Sequence, residues 1–129
     1  MRIEGKGAFI ELSAGHESEE YSVAAAADSF CGTNKRISID ANSLLEFVLS
    51  LERVERDRRG EAHLSAMSPD TFELTIRVID PLGHVSARIL LGHGRYEGNR
   101  HLRSRLAIEF GFDPTCLPSL LRQARELLQ

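Results

Sequence analysis

The chain has 129 residues, of which 42% are hydrophobic and 27% charged, and its formal net charge is −3. This composition is typical of a globular protein and excludes a disordered chain, and no segment approaches the ~20 apolar residues of a membrane-spanning helix. A chain of this length can bury roughly two thirds of its unfolded surface, so we expect one globular domain over residues 1–129.

The N-terminal segment "MRIEGKGAFIELSAGHE" carries glutamates and glycines where a signal peptide needs an unbroken apolar stretch. We therefore expect a cytoplasmic protein that makes no membrane contact. The cysteines, Cys31 and Cys116, lie far apart in the chain and belong to no CxxC or Cys/His motif.

The first third of the chain alternates apolar and polar residues with the period of two that predicts β-strands. Three strands are predicted here, and their inward residues are Ile10, Leu12 and Ala14, then Tyr21, Val23, Ala25 and Ala27, then Ile37 and Ile39.

A helix is predicted next, in "DANSLLEFVLSLERVERDRRG". Gly60 is the expected end of this helix. The apolar residues that recur at helical spacing are Leu44, Leu45, Val48, Leu51 and Val54. The helix start is less sharply defined, because Ser43 with Glu46 has capping-box spacing while Asp40 and Asn42 are competing caps.

Alternation resumes after Gly60 and predicts four more strands. "EAHLSAM" is the shortest, "TFELTIRVID" the clearest, and "HVSARILL" forms a hairpin with it through the turn "DPLG". In "HLRSRLAIEF" the inward residues are Leu102, Ser104, Leu106, Ile108 and Phe110.

The chain closes on a second helix in "LPSLLRQARELL", for which Thr115 is the predicted N-cap and Cys116 the first helical residue. Runs of strands followed by single helices indicate an α+β fold. We expect one antiparallel meander sheet of about seven strands, in the order βββ-α-ββββ-α, with both helices packed on its apolar face.

Residue chemistry indicates no catalytic centre, no metal and no cofactor. A thiol at a helix start is a candidate nucleophile, but no motif directs a histidine toward Cys116. The five histidines lack the spacing of metal ligands, and the glycine-rich "GHGRYEGN" lacks the lysine and helix start of a phosphate loop. We interpret the protein as a non-enzyme, with a cysteine-dependent enzyme as the competing hypothesis.

A basic stretch at residues 95–105 contains Arg95, Arg100, Arg103 and Arg105. Arg103 and Arg105 share one face of a predicted strand, and Arg95 and Arg100 lie in the predicted loop before it. The four side chains can form a single positive patch, which favours either a protein-contact surface or a nucleic-acid-binding module. Tyr96 is the only aromatic residue beside them, so base-stacking platforms are not evident.

The order of elements resembles that of the WapI-type family of small bacterial immunity proteins. The resemblance runs from about residue 8 to residue 128 and is carried by "IELSAGHE" with a following "EY", "LLEFVLSLERV", "GEAHLSAM", "FELTIRV" with "GHV", and "LAIEFGFDPTCLPSLLRQARELL".

The resemblance implies a non-catalytic protein that neutralises a cognate polymorphic toxin, often a nuclease, by covering its active site. An acidic surface suits a cationic nuclease site, and "HESEE" supplies one through Glu17, Glu19 and Glu20. A nucleic-acid-binding module that uses the patch at residues 95–105 is the alternative. The sequence leaves the identity of the partner and the oligomeric state open.

Overall fold

The computed structural model describes residues 1–129 and divides the chain into two halves of the same topology. The first half consists of β1 (Arg2–Gly5), β2 (Ala8–Ala14), β3 (Glu20–Ala27), β4 (Phe30–Ser38) and α1 (Ala41–Asp57). The second half consists of β5 (Glu61–Ser65), β6 (Phe72–Val78), β7 (Val85–Glu97), β8 (Arg100–Phe112), a 3-10 turn (Pro114–Cys116) and α2 (Leu117–Glu126). Each half is therefore a four-stranded antiparallel meander followed by a helix.

The α+β class is confirmed, but the prediction of one sheet of about seven strands is wrong. The strands form two four-stranded sheets, β1-β2-β3-β4 and β5-β6-β7-β8. Helix α1 separates β4 from β5, and a backbone hydrogen bond of 2.8 Å from Met67 N–H to Ser38 O joins the segment after β5 to the end of β4. The additional strand, β1, has four residues and one buried side chain, Ile3, so it is too short to show alternation.

One contiguous hydrophobic core of 28 buried residues draws on both sheets and both helices. Helix α1 packs against β5 and β6, and α2 packs against α1 and β1. The apolar stripe predicted for α1 is correct except at one position: Leu45 is 44% exposed, whereas Phe47 is fully buried. Neither helix combines the length and hydropathy needed to cross a membrane.

One aspartate caps α1, and another caps the 3-10 turn that precedes α2. The Asp40 carboxylate accepts hydrogen bonds from the backbone N–H groups of Asn42 (2.7 Å) and Ser43 (3.1 Å). At the second helix the predicted cap was wrong, because Asp113 accepts from Thr115 N–H at 2.9 Å and opens the 3-10 turn that precedes α2. Pro114 fits the first position of this turn, where no N–H donor is needed.

The hairpin of β7 and β8 extends well beyond the rest of its sheet. Strand β6 pairs with β7 only as far as Leu91, whereas β7 and β8 stay paired to Glu97 and Arg100. Residues 92–105 therefore form a two-stranded ribbon, which we call the arm. The prediction that Arg95 and Arg100 lie in a loop is therefore wrong, since Arg95 lies in β7 and Arg100 in β8.

Candidate functional site

The arm has two faces, because directly opposed residues of an antiparallel pair point to the same side. One face carries Tyr96 opposite His101, Gly94 opposite Arg103 and Gly92 opposite Arg105. The other face carries His93 opposite Ser104, Arg95 opposite Leu102 and Glu97 opposite Arg100. The structure therefore keeps Arg103 and Arg105 together, as predicted, and separates them from Arg95 and Arg100.

Ion pairs offset part of the positive charge of the arm. Arg95 pairs with Glu97 at 3.0 Å, and Asp70 receives both Arg103 (2.7 Å) and Arg105 (3.3 Å) on one carboxylate oxygen. Arg100 makes no ion pair. Since the paired side chains stay about half exposed, these contacts orient the arginines more than they stabilise the fold.

A polar cleft lies between the arm and the turn that joins β5 to β6. The cleft has a volume of about 260 Å³, and no hydrophobic residue lines it. Its walls are Ser68–Thr71 on one side and arm residues on the other, including Arg103, Arg105, Ser104 and both arm histidines, His93 and His101.

The turn is packed tightly onto the base of the arm. Gly92 N–H donates to Thr71 O at 2.8 Å, and Asn34 Nδ2 of β4 donates to Gly92 O at 2.8 Å. A Cβ atom at position 92 would collide with the carbonyl oxygen of Asp70, a residue that itself has a positive φ of 62°. Glycine at 92 is therefore what lets the Asp70 carboxylate approach the arginines.

The acidic candidates occupy a different place in the fold. Glu17, Glu19 and Glu20 lie in and beside the connection between β2 and β3, where the Glu19 carbonyl oxygen accepts from Ile39 N–H at 3.0 Å. They border a cavity of about 320 Å³ that residues of α1 and the C-terminal Leu127 and Leu128 also line. No ion pair joins these glutamates to the arm.

Tyr21 belongs to the same cavity. Burial of its hydroxyl, with a smaller contribution from the negative charge of Glu19, raises the pKa of Tyr21 above its ordinary value of 10.0. The phenol is therefore neutral at physiological pH, and the glutamates are the acidic groups of this surface.

The cysteines are both free and exposed. Cys116 ends the 3-10 turn and borders a cavity of about 310 Å³, together with Arg2, Ser119 and Gln123. No histidine lines this cavity, so the thiol has no imidazole in position to act as its base. No cluster of three or more histidine, cysteine or carboxylate side chains is arranged to hold a metal ion.

Of the residues that line the polar cleft, sequence reasoning named only Arg103 and Arg105 as candidates, and it missed Asp70, which pairs with both. Asp70 lies 33 positions before Arg103, and no spacing rule connects the two residues. The glycines on either side of His93 were the one available signal, because glycine in a strand often marks a close approach of another segment.

Comparison of the chain with family models, with curated proteins and with solved structures gave no match in any of the three. The resemblance to WapI-type immunity proteins therefore stays a hypothesis.

Proposed function

We propose that the protein is a non-catalytic binding protein that neutralises a cognate bacterial toxin, of the nuclease type, by covering its active site. The observation that carries the proposal is the arm, a paired ribbon that contributes nothing to the core beyond Leu91 and Leu106 and presents exposed arginines and a 75% exposed Tyr96. Tyrosine and arginine are the residues that most often dominate the binding energy of protein interfaces.

The charges of the arm favour a protein partner over a nucleic acid. Carboxylates already pair with Arg95, Arg103 and Arg105, and the four arginines are divided between two faces. Tyr96 stacks on His101, with ring centroids 4.8 Å apart, and has no second aromatic neighbour that would extend it into a base-stacking platform. Such a mixed surface suits the patterned charges of a protein surface better than the uniform charge of a phosphate backbone.

The acidic loop is the competing contact surface. A cationic nuclease site is complementary to Glu17, Glu19 and Glu20, whereas the arm is complementary to carboxylates at the rim of such a site. These surfaces lie on different elements, so variants can separate their contributions.

Co-expression with the toxin domain encoded beside the gene tests the proposal. We expect the wild-type protein to restore growth and to form a complex with the toxin domain on gel filtration. Continued growth arrest together with the absence of a complex would contradict the proposal.

An arm-shortened variant identifies the surface. Gly92 directs its backbone groups toward Thr71 and Asn34 and away from β8, so the next opposed pair, His93 and Ser104, is the hydrogen-bonded pair that a two-residue turn requires. Replacing residues 94–103 with Asn-Gly therefore closes the hairpin with a two-residue turn. We expect this variant to fold and to lose protection, while a control with Glu17→Gln and Glu20→Gln keeps it. The reverse result would move the contact to the acidic loop.

The same proteins decide the nucleic-acid alternative. Under our proposal the wild-type chain passes through a nucleic-acid column at low salt without retention. Retention that falls steeply with salt and is lost in an Arg103→Ala, Arg105→Ala variant would replace the toxin proposal with the nucleic-acid module.

A further inference from the structure

The polar cleft holds two guanidinium groups side by side with one carboxylate between them. Arg103 and Arg105 project from the same face of β8, and one oxygen of Asp70 contacts both of them. Each guanidinium has five N–H donors, and the contacts with Asp70 leave most of these donors free. The single carboxylate also leaves one of the two positive charges without an opposite charge.

A donor without a partner lies beside this pair. The hydrogen bonds made by histidine rings in the protein are those of His63 with Thr75 and of His84 with Asp80, so the ring of His101 has none. The ring of His101 lies across the bare backbone of Gly94, directly beside Arg103, since a Cβ atom at position 94 would come within 2.5 Å of His101 Nε2.

The size and lining of the cleft limit what can occupy it. Sites for drug-sized ligands measure about 300–1,000 Å³ and are mostly apolar. This cleft is about 260 Å³ and has no hydrophobic lining residue, so it suits a small ligand. Two neighbouring guanidinium groups with an imidazole beside them match the oxygens of a tetrahedral oxyanion, because such an ion accepts bidentate hydrogen bonds from arginine.

We propose that this cleft binds a phosphate group, carried either by inorganic phosphate or by a small phosphate monoester. Arg103 and Arg105 supply the charge-assisted hydrogen bonds, and His101, on the same face of the arm, supplies a further donor. Asp70 is a positioning residue that holds the two arginines close together before the ligand arrives. This site lies on the same arm as the proposed toxin contact, but the inference does not rest on that contact.

Titration of the full-length ¹⁵N-labelled protein with inorganic phosphate, at an ionic strength held constant with sodium chloride, tests the site. We expect saturable shifts confined to amides of residues 68–71, 92–94 and 101–105, and no comparable shifts when chloride alone is raised. Shifts that rise linearly or spread over the surface would overturn the proposal.

Two charge-matched double variants separate a built site from general attraction. Arg103→Gln with Arg105→Gln should weaken phosphate binding by about tenfold or more, since it removes both charge-assisted contacts. Arg95→Gln with Arg100→Gln removes the same charge from the opposite face of the same arm and should change the affinity by less than about threefold. Equal losses in the two variants would show that net charge alone attracts the ion and would overturn the site.

Methyl phosphate distinguishes the sources of the phosphate group. Binding at least as tight as that of inorganic phosphate means that the open side of the cleft accepts a substituent, and weaker binding means that the free ion is the ligand. The thermal unfolding midpoint and the growth rescue are also measured for the two double variants. A variant that folds, loses phosphate binding and still protects against the toxin therefore separates this site from the proposed function.

Discussion

At the scale of single residues, the cleft depends on one close approach of two backbones. Gly92 is buried, and the Asp70 carbonyl occupies the space that a side chain at this position would need. Asp70 has a positive φ of 62°, a conformation that aspartate and asparagine tolerate better than most residues. The position of the Asp70 carboxylate against Arg103 thus follows from backbone packing rather than from the attraction of the charges alone.

Gly92→Ala should therefore destabilise the protein by about 1–3 kcal/mol, the usual cost of forcing extra volume into a packed site. The matched control is Gly111→Ala in β8, where the new Cβ atom meets its nearest neighbour at an ordinary 3.7 Å. We expect the control to change the free energy of unfolding by less than about 0.5 kcal/mol, as measured by urea denaturation. Equal effects at both positions would contradict the account of Gly92.

At the scale of elements, the start of α1 links helix capping to pH. The backbone N–H of Ser43, then its hydroxyl, and the N–H of Asn42 donate to the Asp40 carboxylate and lower the pKa of Asp40 from its ordinary value of 3.8. The folded state therefore favours the charged carboxylate. Its contribution to stability is fully present above the unfolded-state pKa and is lost as the pH falls through the lower folded-state pKa.

Asp40→Asn tests this linkage, because asparagine caps a helix as well as aspartate but does not titrate. We expect the variant to lose less stability than the wild type when the pH is lowered from about 6 to about 2, as followed by urea midpoints. Asp40→Ala should share the flatter pH dependence of the Asn variant and be less stable at neutral pH, because the cap is gone. A wild-type pH profile in both variants would contradict the assignment.

In the arm, the alternation of apolar and polar residues no longer predicts which residues are buried. Leu102 and Ser104 were predicted to face the core and do share the inward face of β8, yet both are exposed. Alternation records which side of a strand a residue occupies, whereas burial requires a neighbouring layer. The hydrophobic core ends at Leu91 and Leu106 and includes none of residues 92–105, so no core layer packs on this face of the arm.

At the scale of the whole molecule, both sheets share one core, and the two halves have no separate interior. Phe47 of α1 is fully buried in this core. Phe47→Ala should cost about 3–5 kcal/mol, because it combines lost apolar burial with a cavity.

The control for Phe47→Ala is Leu49→Ala on the exposed side of the same helix, where Leu49 is 45% exposed, and its cost should stay below about 1 kcal/mol. Urea unfolding followed by amide signals of both sheets should show a single transition with a lower midpoint in the Phe47 variant. Separate transitions for the two sheets would mean that the halves are stable independently.

The sequence by itself determined the features that arise from local chemistry. Period-two and helical spacing predicted the α+β class, seven of the eight strands and both helices, and they placed Arg103 and Arg105 on one face. These features depend on residues a few positions apart, for which the periodicity of strand and helix is sufficient.

Only the tertiary structure decided which strands share a sheet, where the arm leaves its sheet, and that Asp70 meets the two arginines. Each of these outcomes depends on the relative lengths and packing of segments far apart in the chain, as in the Asp70–Arg103 contact across 33 positions. The alternation of apolar and polar residues is the same in a strand that is paired with a neighbour and in one that extends past the end of its neighbour. The division into two sheets, the arm and the cleft therefore follow from the packing of whole elements, which local pattern does not encode.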